Sequence, residues 1–237
     1  MIVDALKRRM HRDVVANPAV HAAVLNLYLN GERYPHKVDD YFPIAAAEDA
    51  TLAQAMAAHA HDEDKHVALY AKAIEKLGHD VVELPDDDIF NHVIRVHTAE
   101  PWAIAEGMDV DERKRRLAHF LAHAHWLEKR IARSLEYHLD ACEQATSDYA
   151  GKAVAAVMRD EHRHVGYTRE AVLELLPSGE AKDVLAAHQR AEHFANLDFS
   201  RRQMRKLLAL TPRVFPGASR AIYRACITFM DLAHARA

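Results

Sequence analysis

The sequence predicts an all-α protein, and three observations carry that expectation. Glycine and proline number only 7 and 8 in 237 residues, too few to punctuate a strand-rich chain. Alanine, leucine, glutamate, lysine and arginine dominate long stretches, and these are strong helix formers. Apolar residues recur at three- and four-residue spacing, the period of a helix face rather than of a strand.

The elements follow in order. Asn17-Pro18 suits an N-cap followed by proline in the first turn, opening a helix that runs through Leu25 and Glu32 toward Phe42 with a kink at Pro35. A second helix is expected from Asp49 to Leu77, where Gly78 supplies a stop. Between Leu84 and Val110, Pro85, Pro101 and Gly107 break the pattern and leave a long crossover with one short helix at Ile89 to Thr98. A third helix covers Asp111 to Cys142. A turn at Gln144 to Ser147 leads to a fourth, which ends at Pro177-Ser178-Gly179. A fifth covers Glu180 to Leu210, and beyond Pro212 a shorter sixth is expected between Arg213 and Phe229. The whole is read as one domain, 1–237, with residues 17–176 as the body and 180–237 as a helical extension.

Composition narrows the function classes. Half the residues are hydrophobic and 28% charged, and mean hydropathy is −0.28, which excludes disordered and low-complexity chains. A net charge of −4 lacks the basic surplus of a dedicated nucleic-acid binder. Cys142 and Cys226 are too far apart to form a Cys-x-x-Cys pair and too few for a disulfide framework. The N-terminus lacks a signal-peptide apolar stretch, and no run of about 18 apolar residues occurs, so a cytoplasmic protein is expected. Charge is unevenly spread: seven arginines, one lysine and one acid after residue 198 give +7 and leave −11 on the remainder. That basic tail could dock on an acidic partner or a membrane surface, or pack back on the acidic body, which is the commoner outcome.

The chemistry lies in two copies of one pattern. Asp62-Glu63-Asp64-Lys65-His66 and Asp160-Glu161-His162-Arg163-His164 are both Asp-Glu-x-x-His, and on a helix positions i and i+3 share a face. One copy among 18 histidines would read as a solvated charged surface. The surrounding stripes turn both inward. Leu52, Met56, His59, Glu63, His66 and Tyr70 keep the spacing of a bundle core, as do Val154, Val157, Glu161, His164 and Thr168. In the third helix Leu117, Leu121, Ala124, Glu128, Ile131 and Leu135 keep it around a single acid; in the first, Leu25, Tyr28 and Glu32 match, with Asp39 in reserve.

Four carboxylates and two imidazoles in one core would cost several kcal/mol per unpaired charge. No lysine or arginine lies on those stripes, so divalent metal is the expected compensation; two ions at +2 balance four glutamates. Oxygen donors with one imidazole per ion suit iron or manganese, and zinc would leave bridging carboxylates without use. Helix reversal agrees. The midpoint between Glu32 and Glu63 falls near residue 47, and that between Glu128 and Glu161 near 144, each in an expected turn.

With these residues the sequence resembles the ferritin-like di-iron carboxylate superfamily, antiparallel four-helix bundles that take one Glu from each of two helices and Glu-x-x-His from each of the others. The resemblance covers roughly residues 17–176. It implies Glu32, Glu63 and His66 as one half-site and Glu128, Glu161 and His164 as the other, with Glu63 and Glu161 bridging two Fe ions or a Mn/Fe pair. Gly31-Glu32 and Arg159-Asp160-Glu161-x-x-His164 are also similar to the aldehyde-deformylating oxygenases, whereas the four-cysteine site of rubrerythrins is absent. The resemblance implies an oxidase or oxygenase that uses O2, an external electron donor and a small hydrophobic or aromatic organic substrate, with a homodimer as one assembly. The alternative is a non-enzymatic iron-binding or storage protein of the same class.

Neighbouring residues carry secondary expectations. Asp62 and Asp160 could each accept the second ring proton of a ligand histidine on the neighbouring helix, or be solvated. Tyr28 and Tyr70, one turn from Glu32 and His66, could hydrogen-bond a ligand or carry electrons. His125, three residues before Glu128, is a candidate seventh ligand or outer partner. Trp102 and Trp126 are expected in packing, and the extension is expected to shape an apolar tunnel.

Overall fold

The computed structural model describes residues 2–39, 41–98, 102–105, 107–210 and 214–234. Among them there are eight α-helices and no strand: α1 Ile2–Val15, α2 Pro18–Arg33, α3 Ala50–Lys76, α4 Phe90–Val96, α5 Val110–Gln144, α6 Asp148–Leu175, α7 Ser178–Leu210 and α8 Gly217–His234. Pro101, Pro212 and Arg213, which mark expected boundaries, lie outside the described residues. No described helix is long and apolar enough to cross a membrane.

Local chemistry explains the boundaries. Asn17 Oδ1 accepts from the backbone N–H of Ala19 and Val20 at 3.1 and 3.2 Å, with Pro18 in the first turn. Asp49 caps α3 by accepting from Leu52 N–H at 2.8 Å, and Asp109 caps α5 through Asp111 and Glu112. Gly78, at φ +78°, ends α3 in the left-handed conformation, while His79 N–H reaches back to the Ile74 carbonyl. Two expectations are corrected. α2 does not run to Phe42 with a kink at Pro35: it stops at Arg33, and Tyr34–Lys37 tighten into a 3-10 turn, because proline cannot donate the next helical bond. Residues 2–15 form a helix the sequence reading left unassigned.

α2 packs on α3, α5 on α6, and α3 on α6; α1 and α7 both pack against α5, and α8 covers α7. The four helices that carry the motifs thus face one another. Along α3, α5 and α6 a charged middle is flanked by apolar ends, while α2 carries its acid, Glu32, in its last turn. One apolar cluster holds Leu25, Leu29, Tyr70, Leu135, Val154 and Val157. The opposite one holds Tyr34, Met56, Leu117, Phe120, Leu121 and Val172. Each fully buried leucine contributes roughly 2 kcal/mol of transfer free energy, so the two clusters clamp the helices above and below the charged level.

The crossover is held by an unusual device on α2. Asn26 Oδ1 accepts from Val82 N–H at 2.7 Å and its Nδ2 donates to the Asp80 carbonyl at 3.2 Å. One turn later Asn30 repeats this, accepting from Leu84 N–H at 3.0 Å and donating to the Val82 carbonyl at 2.8 Å. Two asparagine amides stand in for the edge of a sheet and fasten segment 80–84 along the helix.

The basic extension pairs largely within itself, Arg201 and Arg202 with Asp198 and Arg205 with Asp231, and meets the body where Lys206 pairs with Asp88 and Tyr223 donates to Asp13 at 2.6 Å. Val14, Val20, Val24, Leu208, Phe215, Tyr223 and Ile227 form a satellite core of α1, α2, α7 and α8.

Asn30→Ala should cost about 1–2 kcal/mol, because it deletes two cross-segment hydrogen bonds and leaves part-buried backbone groups without their partner. Urea denaturation reads the cost. Hydrogen exchange should show the Leu84 amide, which donates to Asn30, losing protection while α5 keeps it, and unchanged exchange would contradict this fastening.

Candidate metal centre

The last turn of α2 delivers Glu32, the middle of α3 Glu63 and His66, the middle of α5 Glu128, and the middle of α6 Glu161 and His164. All six are buried, the most accessible being Glu128 at 5%. Donor atoms of Glu32, Glu63, His66 and Glu161 lie within 4.8 Å of one another, as do those of Glu128, Glu161 and His164. Glu161 belongs to both groups. Glu63 belongs to the first and to a third, with His59 and His164, so both motif glutamates sit between the half-sites.

The atoms aim at shared points rather than at each other. His66 Nδ1 is 3.4 Å from Glu32 Oε2 and 3.5 Å from Glu161 Oε1, and His164 Nδ1 is 3.3 Å from Glu161 Oε2. Glu63 Oε1, Glu161 Oε1 and His59 Nε2 are buried without a hydrogen-bond partner. Ligand bonds of 2.0–2.2 Å around one ion place neighbouring donors about 3 Å apart, and the spacings here are of that size.

Electrostatics agree with that geometry. Burial, then repulsion from Glu32 and Glu128, pushes the Glu63 carboxyl well above the usual carboxylate range. Burial and the charges of Glu128, Glu32 and Glu63 do the same to Glu161. Burial would raise Glu128 too, but His59, 3.4 Å away, outweighs it and holds this carboxyl at about 2. Without cations the core must keep protons on Glu63 and Glu161; with two divalent ions the four carboxylates balance. The donor set fits a pair of metal ions, rich in oxygen, with one Nδ1 from each motif.

The aspartate that opens each motif serves the other motif's histidine. His66 Nε2 lies 3.2 Å from Asp160 Oδ2, and His164 Nε2 lies 3.3 Å from Asp62 Oδ2. This exchange places the ring proton on Nε2 and turns Nδ1 toward the glutamates. Lys65 reaches Asp62 at 2.8 Å and Asp160 at 2.5 Å. Arg163 pairs with Asp160 at 3.0 Å and also with Asp62. Burial acts to raise Asp62, but hydrogen bonds from Lys65, His164 and Arg163 prevail and keep it well below its ordinary value; Asp160 is lowered likewise.

The remaining expectations divide. His125 does not join the cluster: its Nδ1 bonds the Val165 carbonyl at 3.1 Å, and its ring lies against Trp126. Tyr28 turns away from the carboxylates to His138 Nδ1 at 3.1 Å, whereas the Tyr70 hydroxyl is buried with no hydrogen-bond partner. Asp39 is exposed, leaving Glu32 as the acid from α2. Trp102 packs on His123, and Trp126 donates to the Leu185 carbonyl at 2.9 Å. A groove of about 730 Å³ beside Trp126 and Phe194 runs between α5, α6 and α7, but Lys129, Arg130, Arg133, Glu136 and Arg190 line it, so it is not the apolar tunnel expected of the extension.

The residue the sequence reading missed is His59. Its Nε2 lies 3.1 Å from Glu63 Oε1 and 3.4 Å from Glu128 Oε1, its Nδ1 is 2.8 Å from the Tyr167 hydroxyl, and its ring stacks on His164 at 3.6 Å. The signal was present: His59 is one turn before Glu63 on the same apolar stripe.

The chain matches no family model, no curated protein and no solved structure.

Two outcomes test this centre. Glu161→Gln should raise the melting temperature of the metal-free protein by about 2–4 °C, since a neutral amide removes roughly 1 kcal/mol of the cost of holding a buried carboxyl protonated at neutral pH. The same change should abolish the rise that Fe(II) or Mn(II) gives the wild type; a metal-free protein destabilised by the change would contradict the electrostatic account. Asp160→Asn should weaken metal binding about 10- to 100-fold by freeing the His66 ring. Isothermal titration reads that loss, and unchanged affinity would leave Asp160 as a mere salt-bridge partner.

Proposed function

We propose that this protein is a di-metal oxidoreductase, an O2-activating oxidase or oxygenase with two iron ions, or one manganese and one iron, in a ferritin-like four-helix arrangement of α2, α3, α5 and α6. The observation that carries the reading is the buried meeting of Glu32, Glu63, His66, Glu128, Glu161 and His164, with unpartnered carboxylate oxygens at its middle. The bound metal pair would supply the electrons for reducing O2, replenished by an external donor.

The chain's own residues have separable tasks in this reading. Glu63 and Glu161 stand between the two half-sites and would span them. Asp62 and Asp160 hold a proton on Nε2 of His164 and His66, leaving Nδ1 free to bind. Tyr167 fixes the His59 ring from the opposite edge. Phe42 meets the His59 ring edge-on at 5.0 Å and lies 5.8 Å from Phe120. Tyr41 and Trp102 each lie 6.0–6.1 Å from Phe120. This aromatic wall excludes water on the His59 side, and it favours a small hydrophobic or aromatic organic substrate.

Anaerobic reconstitution should load two Fe(II) per chain, and air should then drive oxygen uptake that Glu161→Ala abolishes. One ion per chain, or none, would overturn the reading. Mineral loading of many irons per chain in a large shell on size exclusion would favour iron storage instead. His59→Ala should lower the affinity of one of the two ions about 10-fold or more and leave the other unchanged, as read by two-step titration.

A further inference from the structure

A second group of metal-ligating side chains lies at the far end of the same helices. His21 stands in the second turn of α2, and His138 and Cys142 stand one turn apart on α5. All three are buried, none more than 1% exposed. His138 Nε2 lies 2.9 Å from His21 Nε2, and Cys142 Sγ lies 4.0 Å from the same nitrogen; the three donor atoms fall within 4.8 Å of one another. His21 and Glu32 are eleven residues apart on α2, about 16 Å at 1.5 Å per residue, so this group is separate from the carboxylate cluster.

We propose that His21, His138 and Cys142 form a metal site that takes one monovalent copper ion. Donor chemistry points to a soft cation, because a thiolate with two imidazoles and no carboxylate selects Cu(I) or zinc over iron and manganese. Charge decides between those two. One thiolate and two neutral imidazoles carry −1, so Cu(I) leaves the buried site neutral, whereas zinc would leave +1 among Ala141, Ala150, Ala153 and Leu135. Metal–nitrogen and metal–sulfur bonds of about 2.0 and 2.3 Å place such donors roughly 3.3–3.8 Å apart, within about half an ångström of the spacings present.

The surroundings orient the donors. His138 Nδ1 is 3.1 Å from the Tyr28 hydroxyl, which lies 3.5 Å from Ser134 Oγ. With the proton on Nδ1, donated to the Tyr28 oxygen, His138 Nε2 presents its lone pair toward His21 and Cys142. Gly151 on α6 faces Cys142, and a Cβ there would stand 3.3 Å from the cysteine Cβ, so the glycine lets α6 pack close against this part of α5. On binding, Cu⁺ takes the place of the Cys142 thiol proton, which leaves to solvent, and no electron is exchanged. The site does not rest on the oxidoreductase reading.

The test titrates full-length, metal-free protein with Cu(I) under anaerobic reducing conditions, in competition with the chromophoric chelator bicinchoninate. One Cu(I) per chain should be withdrawn from the chelator. Cys142→Ser should weaken that binding at least 100-fold, and Cys226→Ser, which alters the only other cysteine, should leave it unchanged. X-ray absorption of the one-to-one wild-type complex should show one sulfur with nitrogen neighbours, and it decides the matter even where Cys142→Ser fails to fold. Failure to withdraw copper, a copper shell of nitrogen and oxygen alone, or loss of binding in Cys226→Ser would each overturn the site.

Discussion

Everything in the middle of this protein answers to one constraint: four carboxylates occupy a level of the helix packing where water does not reach. Ionised and unpaired, each would cost several kcal/mol, which is a large share of a typical domain's net stability of 5–15 kcal/mol. The chain limits the cost in two ways: His59 draws down Glu128, and burial with mutual repulsion favours the protonated forms of Glu63 and Glu161. A core built only for stability would place leucine at these positions. Keeping the glutamates concentrates strain where a cation would relieve it, the pattern expected of a functional site.

The rim repeats the logic of the centre with opposite sign. Asp62 and Asp160 form a second layer, partly exposed, and Lys65 and Arg163 bridge the two. The cations neutralise the aspartates, the aspartates anchor the histidine rings, and the rings aim Nδ1 inward. Because Lys65 and Arg163 occupy equivalent places in the two motifs, one arrangement is written twice, and α3 and α6 are joined through it in addition to their apolar contact.

Much of this was legible in the chain because helical periodicity converts spacing directly into facing. The stripes through Glu63 and Glu161, the lone acid Glu128 on α5, and reversals near residues 47 and 144 bring the six side chains together. The exchange of Asp62 and Asp160 between helices follows from the same register. What was not legible depends on partners far off in sequence. α1 carries Leu6, Met10 and Val14 at four-residue spacing, but its partners, α5 and the satellite core shared with α8, lie far off in sequence. Asn26 and Asn30 look like ordinary polar helix positions until segment 80–84 lies beside them. His59 was on the correct stripe and was read as core, since a single histidine on an apolar face is more often packed than used. Its role emerges only once α5 brings Glu128 within 3.4 Å. His125, by contrast, had suitable spacing but falls on the side of α5 that meets the α6 backbone.

His59 also breaks the duplication. One turn before Glu63 stands an imidazole; one turn before Glu161 stands Val157, fully buried in the apolar cluster. Two ions held by the proposed ligands would therefore be inequivalent. The half-site with Glu128 and His164 gains a second nitrogen and loses oxygen character, while the half-site with Glu32 and His66 stays rich in carboxylate. Nitrogen donors favour ions later in the divalent series and oxygen donors tolerate earlier ones, so the chain itself distinguishes the two positions before any metal arrives. The aromatic wall of Phe42 and Phe120 lies on the His59 side as well. The extra imidazole and the aromatic wall thus coincide on the side of Glu128 and His164, whereas Tyr70 and the aliphatic cluster lie toward the other end of the helices. A pair of motifs alike in sequence has been placed in two unlike surroundings, and that asymmetry gives a symmetric-looking centre two chemically distinct faces.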